Sequence, residues 1–256
     1  MIEFVHNRNS KYYFFTMKGD KMKFFLHRAD ERGSAEHGWL HSRFSFSFSD
    51  YHNPNRIGFG VLRVINDDVI EPLGGFKMHP HRDMEIITIV TQGSLKHEDT
   101  EGNHGIIKAG EIQYMSAGMG IEHSEFNPSP KEQTELFQIW IKPQEKGLIP
   151  HYEQHRCDMD RINRWALLVS GDGRKGSLKI AQDATIRVSH LFLGHTLVSD
   201  SIKAGHGRLL FVIDGEVNAC GYTLKRRDEL QVIGDEAFEI TANIHAHLLL
   251  FDVPME

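Results

Sequence analysis

Cysteine is nearly absent: Cys157 and Cys220 are the whole complement, and neither stands in a CxxC pair. This argues against a disulfide framework and for a reducing, cytoplasmic setting. No apolar run reaches the length needed to cross a bilayer, and the opening residues lack a basic start, apolar middle and small-residue cleavage site in succession. Neither a membrane partner nor a secretion signal is therefore expected. A basic excess is lacking too. Net charge is -6, from 29 Lys and Arg against 35 Asp and Glu, with both signs interspersed, so direct contact with nucleic acid is not expected. Amphipathic helical patterns of any length are also missing. The 256 residues, 40% of them hydrophobic, still suffice for one large core or two smaller ones.

What is present is a β pattern from Met22 onward. In Phe44, Ser45, Phe46, Ser47, Phe48 the alternation is strict, which puts the phenylalanines on one face and the serines on the other. Residues 61–65 and 84–90 are rich in β-branched side chains, as buried strands are, and 134–142 reads as a further strand. Turn signals recur at short intervals at Gln92-Gly93, Gly102-Asn103, Ala109-Gly110 and Asn127-Pro128. Such spacing predicts an all-β sandwich or barrel. After a looser stretch at 143–150 the pattern repeats faintly: residues 87–93 are answered by 210–215, and 110–113 by 228–231. The expectation is two tandem antiparallel β-barrels of the jelly-roll type packed face to face, 22–145 and 150–256, preceded by an extension over 1–21.

Histidine is abundant, with 17 residues, but they are spread along the chain, so spacing decides. His79-Pro80-His81 puts two imidazoles on one face of a strand, roughly 7 Å apart. His123-Ser124-Glu125 repeats the arrangement with an imidazole and a carboxylate. Converging on one point, these pairs would offer three neutral nitrogens and one anionic oxygen, a set suited to Fe, Ni, Cu, Mn or Zn rather than Ca or Mg. An HxH alone in a His-rich chain is more often surface or core, and His245-Ala246-His247 has that spacing with no partner pair. Context favours the first: Pro80 places it at a strand edge, and Gly118-Met119-Gly120 permits a close backbone approach before His123.

From about residue 22 to the C-terminus the chain resembles the pirins, a family of two-cupin (bicupin) proteins with one metal in the N-terminal barrel. The resemblance is carried by residues 28–33 (RADERG), Gly38-Trp39-Leu40, residues 62–68 (LRVINDD), residues 79–85 (HPHRDME) and residues 115–125 (MSAGMGIEHSE). It implies His79, His81, His123 and Glu125 as ligands of one divalent transition metal, Fe(II) foremost, with Ni, Cu, Mn or Zn as alternatives. It assigns Glu85 a structural role, although cupins in general take a carboxylate ligand near that position, and it passes the role of the cupin third His, where Gln113 stands, to His123. The second copy reads as empty. Counting back from Gly215 lands on Ser201 and Lys203, and 239–241 holds no imidazole.

Bacterial pirins of this kind are similar to quercetin 2,3-dioxygenases. The resemblance then implies an oxidoreductase that cleaves a flavonol with O2, the 3-hydroxyl binding the metal and losing its proton to the catalytic base Glu125, with release of carbon monoxide. Phe46, Phe48, Phe76, Met78 and Met115 are the candidate apolar walls, though each taken singly reads as barrel core. A different class is a non-catalytic metal-binding regulatory protein contacting a transcription factor or metabolic enzyme. A third is a metal-dependent isomerase or sugar-acid enzyme, since fold does not fix function.

Overall fold

The computed structural model describes residues 3–5, 14–16, 22–156 and 161–256. Among these, helix is confined to two three-residue 3-10 turns, Ala29–Glu31 and Arg174–Gly176, and the architecture is all-β as expected. Described residues within 32–158 and 170–183 form one compact unit, and those within 1–31, 159–169 and 184–256 form the other.

In the first unit a seven-stranded antiparallel sheet runs in the order His151–Arg156, Glu111–Ser116, Glu85–Gln92, Thr134–Ile141, Leu62–Ile70, Leu40–Phe44, Gly33–Glu36. Next to its central strand Thr134–Ile141 lies Glu85–Gln92, in which Ile86, Ile87, Ile89 and Val90 are fully buried. β-branched residues at every such position suit a strand covered on both faces. A second sheet orders His104–Lys108, Ser94–Asp99, Ile121–Phe126 and Gly75–His81. Gly75–His81 is thus an edge strand, where Pro80 removes no ladder bond that a neighbour needs.

The second unit repeats this plan. Ala166–Ser170, Thr185–Leu191, Ala246–Pro254, His206–Asp214, Glu229–Ile233 and Lys23–His27 are neighbours in that order, and Thr196–Val198, Glu239–Ala242, Glu216–Ala219 and Tyr222–Lys225 form the four-stranded sheet.

The expected barrel boundaries, 22–145 and 150–256, need redrawing. Lys23–His27 pairs with Glu229–Ile233 of the second barrel, while His151–Arg156 pairs with Glu111–Ser116 of the first. The stretch 170–183 also belongs to the first unit, tied there by the Gln144 amide donating to the Ala181 carbonyl at 2.7 Å and by Gln182 Nε2 donating to the Lys142 carbonyl at 2.9 Å. Edge strands are recruited through backbone N–H and C=O groups that every residue carries, so side-chain pattern cannot say which sheet a segment joins. Within the expected extension, Glu3–Val5 and Phe14–Thr16 pair antiparallel. The remainder of 1–21, like Cys157, lies outside the described residues.

The alternation at 44–48 does not continue a strand. Leu40–Phe44 ends at Phe44, and Ser45 and Ser47 are buried as fully as Phe46. Ser47 Oγ donates to the Asn53 carbonyl at 2.9 Å and accepts from the Asn53 amide at 2.8 Å, which closes a loop where the pattern had suggested a pleat.

Candidate metal centre

The edge strand Gly75–His81 and its neighbour Ile121–Phe126 are in antiparallel register with His79 opposite His123 and His81 opposite Ile121. The period of two then puts His79, His81 and His123 on one face. Their rings form a near-equilateral triangle, with centroids 4.5 Å apart for His79–His123 and 4.8 Å for each of the other two pairs. One nitrogen from each lies within 4.8 Å of the others. Glu125 joins His123 in an overlapping set completed by His97. Among the described residues these two sets are the candidate metal-holding groups, and both lie in the first unit.

Whether these residues suit a transition metal is answered by their free atoms. His79 Nδ1 lies 2.7 Å from the Lys77 carbonyl. A carbonyl only accepts, so Nδ1 carries the proton and the Nε2 lone pair is left for a ligand. His123 Nε2 is buried with no hydrogen-bond partner among the described residues, a costly state unless something binds there. Burial and the neighbouring imidazoles push His81 and His123 down to about 3, so both are neutral donors at physiological pH. The site fits.

Glu125 is buried and held from behind. Gln138 Nε2 donates to both its oxygens, at 3.3 and 3.0 Å, and Gln138 Oε1 in turn accepts from Thr88 Oγ1 at 3.0 Å. Glu85, by contrast, accepts from Tyr114 Oη at 2.5 Å, Ser116 Oγ at 2.7 Å and the Ala181 amide at 2.7 Å. Three donors occupy most of its lone pairs, and among the described residues no metal-holding set includes it. The Gly118 turn is as tight as its glycine suggests: with φ of 45°, a Cβ there would meet the Leu148 carbonyl oxygen at 2.0 Å.

His79 and His81 of the imidazole triangle open on a cavity of about 580 Å³ lined also by Glu125, Phe48, Phe76, Trp39, Trp140, Phe44, Asn66 and Asp68, among others. Trp140 meets His81 edge to face at 4.9 Å and Phe48 at 5.4 Å, and Trp39 meets Phe76 at 5.0 Å. Burial pushes Asp68 up to about 7, against the lowering effect of the Ser42 hydroxyl that donates to it.

Of the five expected wall residues, Phe48 and Phe76 line the cavity; Phe46, Met78 and Met115 do not. Met78 obeys the strand alternation, and it is Phe76 that departs from it, through a β-bulge. Phe76 faces Glu125 and His79 faces His123, so Lys77 and Met78 together oppose Ser124 alone. The extra residue brings Phe76 onto the histidine face, while Met78, next to His79, points away from that face and is 49% exposed. Phe46 lies beyond the strand end, beneath the Arg56 guanidinium at 5.1 Å. Met115 packs with Ile86, Ala117 and Ile121. Sequence reasoning missed Trp39, Trp140, Asp68, Gln138 and His97. His97-x-Asp99, with strand spacing just after the Gly93 turn, was a readable signal for the last.

Two barrels of one strand order, one lined with imidazoles, define a bicupin with a candidate metal centre in its first barrel. Comparison with known proteins narrows the class. The Pirin family model matches residues 26–141, and the model of the quercetinase C-terminal cupin domain matches 167–253. The chain is 45% identical over 230 residues to quercetin 2,3-dioxygenase of Escherichia coli (strain K12), covering 90% of this chain and 98% of that protein. It is 40% identical over 225 residues to a pirin-like protein of Caulobacter vibrioides, covering 87% and 96%. The crystal structure of the bacterial pirin YhhW from Escherichia coli in complex with nickel(II) superposes with a TM-score of 0.86 at 44% identity, covering 90% of this chain and 99% of that one. The chain belongs to the pirin family.

Proposed function

We propose that this protein is a metal-dependent dioxygenase of the quercetin 2,3-dioxygenase type, with His79, His81, His123 and Glu125 holding one divalent ion, Fe(II) by preference. The observation that carries the reading is the His79–His81–His123 triangle at the end of an aromatic-walled cavity. Its volume, about 580 Å³, falls within the ~300–1,000 Å³ usual for small-molecule sites. Identity to quercetin 2,3-dioxygenase over nearly the whole of both chains supports it, and nickel(II) in the YhhW complex supports a divalent ion at such a site.

When bound, the ion supplies Lewis acidity toward a substrate oxygen and a redox route to O2. The chain supplies the rest. Trp39, Phe48, Phe76 and Trp140 fit the faces of a flat aromatic ring system and exclude water from it. Asn66 and Asp68 add polar groups to the same cavity, which suits a polyhydroxylated ring rather than a hydrocarbon. Glu125, its orientation fixed by Gln138, accepts the proton that the flavonol 3-hydroxyl gives up on binding. The flavonolate so formed is the species that reacts with O2, with loss of carbon monoxide.

The test is anaerobic reconstitution with Fe(II), Ni(II), Cu(II), Mn(II) or Zn(II), followed by oxygen uptake with flavonols. Turnover with at least one ion is expected, and Glu125→Gln at matched metal content should lower it by ~10²–10⁴-fold, because the amide takes no proton. No oxidation of any flavonol by fully loaded wild-type protein would overturn the reading in favour of a non-catalytic metal-binding role.

A further inference from the structure

Beside His123, on the neighbouring strand, stands a buried pair that does not line the cavity and that the proposed reaction does not use. His97 and Asp99 lie on the strand Ser94–Asp99, opposite Glu125 and His123 respectively, and both side chains are fully buried. His97 Nε2 is 3.0 Å from Asp99 Oδ2. His97 Nδ1 is 3.4 Å from Gln113 Nε2 and 3.5 Å from His123 Nδ1. Tyr152 stacks on the His97 ring with centroids 4.8 Å apart and planes at 25°, which holds the imidazole in its plane.

The protons in this chain can be counted. Asp99, whose oxygens also accept from the amides of Glu101 and Asn103 and from Asn103 Nδ2, is a carboxylate that only accepts. His97 Nε2 must then be the donor to it, which in a neutral ring leaves Nδ1 as an acceptor. Its single lone pair faces two donors, the Gln113 amide at 3.4 Å and His123 Nδ1–H at 3.5 Å, and is shared between them. With its proton committed to Nδ1, His123 presents an unprotonated Nε2, the buried atom that has no partner among the described residues. His79 reaches the same tautomer by a shorter route, through the Lys77 carbonyl.

We propose that His97 and Asp99 are positioning residues for metal capture: Asp99 fixes His97 as the Nε2–H tautomer, and His97 fixes His123 with its Nε2 lone pair toward the metal. This rests on the reading of His79, His81 and His123 as ligands, but it makes a claim about the metal-free protein that is tested separately. Partners of this kind typically change metal affinity by ~10–100-fold when removed.

The experiment uses the full chain as wild type, His97→Phe and His97→Gln. Long-range 1H–15N correlation spectra of the metal-free wild type should give His97 as Nε2–H and His123 as Nδ1–H. Either ring in the other tautomer, or a doubly protonated His97, overturns the proposal. Ni(II) titration against a competing chelator should show His97→Phe, which keeps the stacking on Tyr152, binding ~10–100-fold more weakly. His97→Gln, whose amide oxygen can accept from His123, should recover most of that loss. A merely structural role would lower both thermal midpoints and leave Ni(II) affinity intact, which also overturns the proposal. X-ray absorption of the nickel-loaded proteins should count the same number of imidazoles in wild type and His97→Gln, and one fewer in the variant would make His97 a ligand instead. If His97→Phe fails to fold, the wild-type tautomers and His97→Gln still decide. Absence of Ni(II) binding by wild type, with both tautomers as stated, would sink the proposed function and leave the hydrogen-bond chain standing.

Discussion

Counted from Gly93 and Gly215, the left-handed glycines that follow a long inner strand of each barrel (φ 71° and 89°), the two interiors align position by position. His97 and Ala219 each come four residues later. His97 pairs with Glu125, and Ala219 with Ile240; on their other side Glu125 faces Phe76 and Ile240 faces Leu197. Two residues back stand His123 and Phe238. Opposite His123 is His79, and opposite Phe238 is Ser199, whose amide donates to the Phe238 carbonyl at 2.9 Å. The pairing thus moves the second barrel's equivalent of His79 from Ser201, where counting along the chain had put it, to Ser199.

One strand plan therefore carries two opposite interiors. Leu197, Ala219, Phe238 and Ile240 belong to a single continuous apolar cluster with Val217, Leu224 and Leu230. In the first barrel the clusters around Leu95 and around Ile86 include none of the polar residues, which face one another instead. A barrel can be filled or functional at the same positions, and the second gains in apolar burial what the first forgoes to keep its imidazoles and carboxylate desolvated.

The largest expected effect separates the barrels outright. Metal analysis of purified wild-type protein should give about one equivalent per chain, and the double change His79→Ala, His81→Ala should remove most of it, since two of the three imidazoles that share one face are lost and only the overlapping His97, His123 and Glu125 set is left. Full retention of the ion would mean that His79 and His81 do not hold it. Phe238→Ala reverses the question. It should cost about 3–5 kcal/mol in urea unfolding, as an aromatic ring is deleted from a filled core, with the metal stoichiometry unaltered. A loss under about 1 kcal/mol would show that the second interior is not packed as a core.

Acid sharpens the comparison further. Burial, with the neighbouring imidazoles, pushes His81 and His123 of the first barrel down to about 3; burial, with His190 and Arg227, does the same to His247 of the second. Each ring takes a proton near pH ~6.5 when unfolded and not until about 3 when folded, so the unfolded state binds more protons in between. Stability of the metal-free protein should accordingly be complete above pH ~6.5 and fall progressively toward pH ~3. Urea midpoints measured between pH 7.5 and 4 would check it, and His247→Phe should flatten the decline. A midpoint independent of pH would contradict the burial of these rings. The smallest effect is expected at Met78. Because Met78 points away from the histidine face and is half exposed, Met78→Ser should change stability by no more than about 0.5 kcal/mol and leave the flavonol KM as it was.

Much of the first barrel was legible. Pairs at i and i+2 specify a shared face wherever the chain is extended, so His79-x-His81 and His123-x-Glu125 pointed to one face before any pairing was known; the structure gathers His79, His81 and His123, and sets Glu125 with His123 and His97. The β-branched run at 85–90 announced a buried strand in the same way. The walls were less legible, because one inserted residue between Phe76 and His79 inverts every face assignment that period two makes across it. Trp39 and Trp140 share a cavity although a hundred residues separate them along the chain, a distance at which sequence pattern carries no signal.

The amino-acid order by itself determined the all-β class and the two-barrel repeat, and it singled out His79, His81, His123 and Glu125 as candidates, because these follow from short-range periodicity and side-chain chemistry. Only the tertiary structure decided that Lys23–His27 completes the second barrel and His151–Arg156 the first. It also decided that Phe76 faces the site while Met78 does not, and that His97 and Asp99 stand beside His123. Each of these depends on which backbone groups pair across strands, and backbone groups are the same at nearly every residue.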